Sequence, residues 1–236
     1  MTALLSGIRG KVKTVLRGEN WLDVSLYLLF ISFFIAPFID SGPVRLLTSL
    51  LFSLVMIAGV VSMSRRPAIR LAAGMLACTA ISLRWLQHIM PTPTIVRLGT
   101  LAVLVFMVML ALVTLIKVFG KGRVTAHRIN GAIAVYLLIG MSWGLLYGLL
   151  DQALPNAFNL PPLGDTFTPD RQQSLTYFSF ITLTTLGYGD ITPTHEISRM
   201  FVVIEGLIGQ LYPATLLARL VSLEIMHRDK PHTDMA

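Results

Sequence analysis

Six apolar runs, each about as long as a helix that crosses a membrane, constrain this chain more than any other feature. A hydrocarbon layer of about 30 Å requires about 20 helical residues. The runs are Trp21–Ile39, Arg45–Met63, Ile69–Ile89, Ile95–Val118, Ile129–Leu150 and Ile197–Leu223. Of the 236 residues, 54% are hydrophobic and only 13% charged, whereas about a quarter of a soluble domain is charged. The expected class is an all-α membrane protein with six transmembrane helices.

Punctuation between the runs is short and made of turn formers. Asp40-Ser41-Gly42-Pro43 and Met90-Pro91-Thr92-Pro93 fix or free backbone angles and remove amide donors, so the first four spans read as two helical hairpins. Basic residues gather at Arg9, Lys11, Lys13 and Arg17, at Arg65, Arg66 and Arg70, at Lys117, Lys121, Arg123 and Arg128, and at Arg228 and Lys230. By the positive-inside rule this face is cytoplasmic. The opposite face carries Asp40, Asp151, Asp165, Asp170, Asp190 and Glu196. Six spans place both termini in the cytoplasm, as expected for a multi-pass protein of the cell (plasma or inner) membrane.

The net charge of +7 does not point to nucleic acid. A phosphate-binding surface would gather its bases on one wet face, and here they sit beside apolar runs, where anionic lipid lies. The first run is too long for a signal peptide and ends without a small-residue cleavage site. Residues 1–20 suit a basic interfacial segment, with a disordered tail as the alternative. Cys78, the single cysteine, permits no intrachain disulfide and reads as a small buried hydrophobe.

The connection between the last two spans is different in kind. After Pro155, Pro161, Pro162 and Gly164 comes an apolar stretch of about ten residues, too short to span, and then Thr184-Thr185-Leu186-Gly187-Tyr188-Gly189-Asp190 with Thr192-Pro193 behind it. The stretch suits a re-entrant helix from about Ser174 to Thr184, with Thr168 or Ser174 as its cap. Non-helical backbone at membrane depth is tolerated only where protein buries it or it lines a wet cavity. A cation that sheds its hydration oxygens can be met by rings of backbone carbonyls. Aiming successive carbonyls at one axis needs unusual backbone angles, which Gly187 and Gly189 tolerate.

The segment from Ser174 to Pro193, flanked by two spans, resembles the pore region of the potassium channel family, and the resemblance covers about residues 129–223. It implies ion-binding carbonyls at Thr185, Leu186, Gly187 and Tyr188, with the Thr185 hydroxyl as the innermost ring and Gly189 closing the filter. It further implies that Tyr188 packs outward and that Asp190 anchors the outer end. Leu186 stands where valine is commoner, a change expected to alter packing more than selectivity. One motif per chain implies a homotetramer. The implied order is an interfacial segment at 1–20, a four-helix domain at 21–118, a linker at 119–128, a pore domain at 129–223 and a short tail at 224–236.

Other residues have weaker claims. Glu205 lies within the last span, where a carboxylate is expensive, and is expected to support the filter from behind together with Thr184. Gly206, Gly209 and Pro213 are candidate gate hinges, the glycines serving equally well for close packing. Pro213 is the strongest, because it removes a helical hydrogen bond. Arg84 is the one basic residue well inside a span and should be paired or snorkelling. His88, one turn on, has no sequence partner for a ligand site.

A voltage sensor needs about 3–4 mobile charges per subunit, and the fourth span offers only Arg97 and Lys117 at its ends, so strong voltage gating is not expected. The tail is too short for a folded domain of ~50 residues. The expected function is passive potassium flux, with no enzymatic activity, no catalytic residues, no cofactor beyond permeant potassium and no nucleic-acid partner. A non-selective cation channel and an accessory subunit are the alternatives, and a separate regulatory partner remains open.

Overall fold

The computed structural model describes residues 42–62, 67–90, 92–120, 125–160 and 169–228. The first expected span, the basic segment before it, Thr168 and the final residues lie outside the described residues, as does the His88 side chain. The elements in chain order are α1 (Gly42–Ser62), α2 (Pro67–Ile89), α3 (Pro93–Val118), α4 (Ala126–Ala153), β1 (Phe158–Asn159), α5 (Pro169–Leu183), β2 (Thr192–Pro193) and α6 (Glu196–Arg228). Among the described residues four helices are long and apolar enough to cross a membrane, over Pro67–Gln87, Pro93–Val118, Arg128–Ala153 and Glu196–Ser222. In α1 the apolar segment is the shorter Phe52–Val61.

α2 and α3 start two residues before their apolar runs because proline opens them. Pro67 and Pro93 occupy first helical positions, where a missing amide costs nothing and the fixed φ is already helical. Ahead of Pro93, Thr92 accepts the Ile95 amide at 3.4 Å and caps α3. At the other end Arg128 donates to the Val118 carbonyl at 2.8 Å and also to that of Gly120. These are carbonyls at the end of α3 that lack helical partners.

The helices pack in sequence, α1 on α2, α2 on α3 and α3 on α4, and α4 then carries α5. Ala73, Ala77 and Ala80 form the buried seam of α2 and let it approach Val103, Phe106, Met107 and Leu110 of α3, with Val55 and Met56 of α1 closing the cluster. Small residues at such spacing allow close van der Waals contact, which drives helix association in lipid. The seam also corrects the expectation for Cys78, which is exposed. Next to Ala77 in sequence, it points to another face of the helix.

Arg84 is paired through its face. Its guanidinium lies 5.0 Å from the centroid of the Phe52 ring on α1, a cation–π contact, and its Nε has no hydrogen-bond partner among the described residues.

Candidate functional site: the short helix α5 and the loop after it

α5 is longer than the apolar stretch that announced it, beginning at Pro169 and ending at Leu183. Ser174 lies inside the helix and therefore does not cap it. The extra first turn is polar, and Arg171 in it grips Asp151 at the end of α4, with Nε to Oδ2 at 2.5 Å and Nη2 to Oδ1 at 3.0 Å. Arg97 at the start of α3 donates to the Gln152 carbonyl at 2.9 Å. Asp151, assigned by charge to the face opposite the basic clusters, thus lies with Arg97 and Arg171 at one end of the bundle.

A glycine stripe seats α5 against α4. A Cβ at Gly140 would lie 2.7 Å from the Phe180 ring, one at Gly144 would lie 2.8 Å from Thr176 Cα, and one at Gly148 would lie 2.0 Å from Gln172 Oε1. The two sets, 140/144/148 and 172/176/180, share a four-residue spacing, so one ridge runs along a groove made of absent side chains. Gln172 then donates to the Gly144 carbonyl at 3.0 Å and Ser179 to that of Gly140 at 2.7 Å. Behind this contact lies an aromatic cluster of Tyr147, Phe158 and Phe178, with ring centroids 5.2–5.6 Å apart.

Each of the last four carbonyls of α5 has a donor, and the donors shape the loop. Phe180 O receives the Thr184 amide at 3.0 Å, and Thr182 O that of Thr185 at 2.9 Å. Ile181 O receives the amides of Leu186 and Gly187 at 2.9 and 3.2 Å. Leu183 O receives the Tyr136 hydroxyl at 3.1 Å. Four successive backbone amides, 184–187, are therefore folded back onto the helix they follow.

The φ angles of the loop alternate in sign. Thr185 has φ 60°, Gly187 53° and Gly189 80°, whereas Leu186 and Tyr188 are not among the positive-φ residues. Left-handed residues at every second position put successive amides on one side and leave the carbonyls for the other. Nothing lies within 4 Å of a Cβ built on Gly187 or Gly189, so glycine is required there by backbone conformation and not by space. Thr185 is a β-branched residue in the same region, an uncommon conformation that costs of order 1–3 kcal/mol and persists only where surroundings impose it. Its hydroxyl donates to the Thr184 carbonyl at 2.7 Å and accepts from Gln210 Nε2 at 3.0 Å.

The far end of the loop is held by a short antiparallel pair, Phe158 opposite Pro193 and Asn159 opposite Thr192. Thr194 donates to the Asn156 carbonyl through its hydroxyl and to the Ala157 carbonyl through its amide, the latter at 3.1 Å. The Asp190 carboxylate faces the Tyr177 hydroxyl of α5. Residues 184–190 are all exposed in the single chain, with Leu186 at 58% and Tyr188 at 68%.

α6 separates the residues that sequence had grouped. Glu205 is fully buried; its Oε2 accepts from Tyr147 at 2.5 Å and its Oε1 lies 2.5 Å from Ser179 Oγ. It thus ties α6 to α4 and α5. At Gly209 a Cβ would stand 2.1 Å from the Leu183 carbonyl oxygen, whereas at Gly206 it would meet nothing within 4 Å. Close packing accounts for the first glycine and not for the second. α6 runs unbroken through Pro213, and the amide that proline lacks is the one that would bond Gly209 O, four residues back. Tyr212 donates to the Ala132 carbonyl at 2.8 Å and stacks on Tyr136 at 5.9 Å.

Sequence reasoning missed Tyr136, Tyr147, Ser179, Gln210 and the stripe Gly140, Gly144 and Gly148. Only the stripe had a visible signal, small residues four apart in an apolar run.

Residues 170–224 match a family model described as "Ion channel", a stretch that holds nearly all of α5, the loop and most of α6. No curated protein matches the chain. The match supports ion channel function for a mostly helical protein with several apolar helices, and places this chain among multi-pass membrane proteins.

Proposed function

We propose that this chain is one subunit of a potassium-selective channel and that Thr185, Leu186, Gly187, Tyr188 and Gly189 supply its filter. The observation that carries the proposal is the loop backbone: amides 184–187 turn back to α5 while φ is positive at 185, 187 and 189. Carbonyls freed in this way are the ligands that can replace the hydration shell of a potassium ion. Asp190, Thr184 and Glu205 support the filter, through Tyr177, the Phe180 carbonyl and Ser179 respectively.

Four copies complete the site. A single loop offers one side of each carbonyl ring, and rings require closed rotational symmetry. Exposed Leu186 and Tyr188, together with the apolar Met200, Val203, Leu207 and Leu211 of α6, suit burial against neighbouring subunits and lipid. The proposed topology has six spans with both termini in the cytoplasm of a cell-membrane channel. The first four helices do not act as a strong voltage sensor, and Arg97, bound to the Gln152 carbonyl, is not free to cross.

Reconstitution in lipid bilayers under mixed potassium and sodium tests the proposal. The reversal potential is expected to follow the potassium gradient, and Gly187→Ala to abolish the current. A reversal potential indifferent to that gradient refutes selectivity and favours a non-selective cation pore.

A further inference from the structure

Three short oxygen contacts meet at a buried point behind α5, and two hydroxyl protons cannot serve all three. Ser179 Oγ lies 2.7 Å from the Gly140 carbonyl oxygen and 2.5 Å from Glu205 Oε1, while Glu205 Oε2 lies 2.5 Å from the Tyr147 hydroxyl. A carbonyl only accepts, so the single Ser179 proton goes to Gly140. Ser179 then has none to offer Glu205. Two oxygens in such close approach need a proton between them, and Tyr147 spends its own on Oε2.

We infer that Glu205 is held as a neutral carboxylic acid, with its proton on Oε1 donated to Ser179. The result is a one-way relay from Tyr147 to Glu205 to Ser179 to Gly140 that stitches α4, α5 and α6 together. The surroundings agree. Glu205 is 0% exposed, and among the described residues no cation pairs with it. The other titratable groups near it are the tyrosines Tyr147 and Tyr136. A carboxylate in a membrane span without a cation is expensive, whereas a carboxylic acid with every oxygen bonded is not. Glu205 is thus a positioning residue, acting on the filter through Ser179 one turn before α5 ends. That role rests on the proposed filter, but the proton assignment does not.

Infrared difference spectroscopy of the lipid-reconstituted protein tests the assignment separately from any current. Between about pH 5 and about pH 7, where ordinary glutamates are ionised, the wild type is expected to show a protonated-acid carbonyl band that stays constant and disappears in Glu205→Gln. Tyr147→Phe, which removes the donor to Oε2, should keep the band and move it to higher frequency. Loss of a carboxylate band in Glu205→Gln, or an acid band unmoved by Tyr147→Phe, overturns the inference. If Glu205→Gln does not fold, the wild type and Tyr147→Phe decide alone. The glutamine can accept from Tyr147 and donate to Ser179, so its ion flux should stay within about twofold of wild type while Glu205→Ala loses about tenfold or more. A folded Glu205→Gln as inactive as Glu205→Ala overturns the positioning role, whereas a loss of potassium selectivity in the wild type would bear only on the proposed function.

Discussion

Gly209→Ala should damage this protein where Gly206→Ala, three residues away on the same helix, should not. The new methyl at Gly209 would stand 2.1 Å from the Leu183 carbonyl oxygen, and ordinary contact begins at 3.4 Å. The obstacle is backbone, not the end of a flexible side chain, so α6 and α5 must separate by about 1 Å, a displacement of the kind that makes overpacking cost about 1–3 kcal/mol. The same carbonyl accepts the Tyr136 hydroxyl at 3.1 Å, already near the limit for a good bond, and stretching it forfeits about 0.5–1.5 kcal/mol more. Alanine returns up to ~1 kcal/mol of helix propensity. The net expectation is a loss of about 2 kcal/mol per subunit. Gly206→Ala meets nothing within 4 Å and keeps the whole propensity gain. Thermal unfolding of both variants in lipid, with ion flux measured alongside, decides the matter. A Gly209→Ala protein that melts with the wild type, or above Gly206→Ala, refutes the packing argument.

Gly144→Ala puts a methyl 2.8 Å from the Thr176 Cα and should displace α5, lowering the unfolding midpoint and ion flux together; a variant with normal flux would show that the helix tolerates the shift. Asp151→Asn and Arg171→Gln should each destabilise the N-terminal end of α5, and a double-mutant cycle on unfolding should return a coupling of about 1–2 kcal/mol, above the exposed-pair range because the Asp151 side chain is 4% exposed. A coupling near zero would reduce the pair to a surface contact. Pro213→Ala restores a bond to the Gly209 carbonyl and should change open probability in single-channel records while leaving the reversal potential in place; unchanged gating would remove Pro213 as a hinge.

Much of the helical framework could be read from the chain because lipid imposes one rule on every residue of a span. α2, α3, α4 and α6 begin and end within a few residues of the apolar runs, and the errors have local causes, such as Pro67 and Pro93 serving as first helical residues. The alternating glycines of the loop were legible for a different reason, since glycine in alternate positions is a demand of backbone conformation, and Gly187 and Gly189 both have positive φ. Thr185 at φ 60° could not have been foreseen, because nothing in a threonine announces a left-handed backbone. Partners across helices were equally hidden. Glu205 was conspicuous as a charge in a span, but its bonds to Tyr147 and Ser179 join positions 58 and 26 residues away, and hydrophobic periodicity carries no register between helices. Cys78 erred for the same reason, since its face is decided by where Ala73, Ala77 and Ala80 find α3.

The hinge question changes once the residues are seen together. Sequence alone makes Gly206, Gly209 and Pro213 three independent weak points along one helix. In the fold, Gly209 is the point of closest approach to α5, Pro213 removes the hydrogen bond to the Gly209 carbonyl, and Gln210, between them, donates to the Thr185 hydroxyl at 3.0 Å. Any bend of α6 at its unbonded carbonyl must therefore move a side chain that holds the start of the loop. Tyr212 adds a restraint by bonding the Ala132 carbonyl and stacking on Tyr136, the residue that also bonds Leu183 O. Above the weak point the helix is fastened to α4 and α5 through Glu205, and below it α6 continues to Arg228, with largely exposed side chains from Leu211 to Ser222. Motion is thus cheapest below Gly209, and its first consequence is felt at Thr185, so that in the proposed channel a bend of α6 and a change at the Thr185 ring would be mechanically one event.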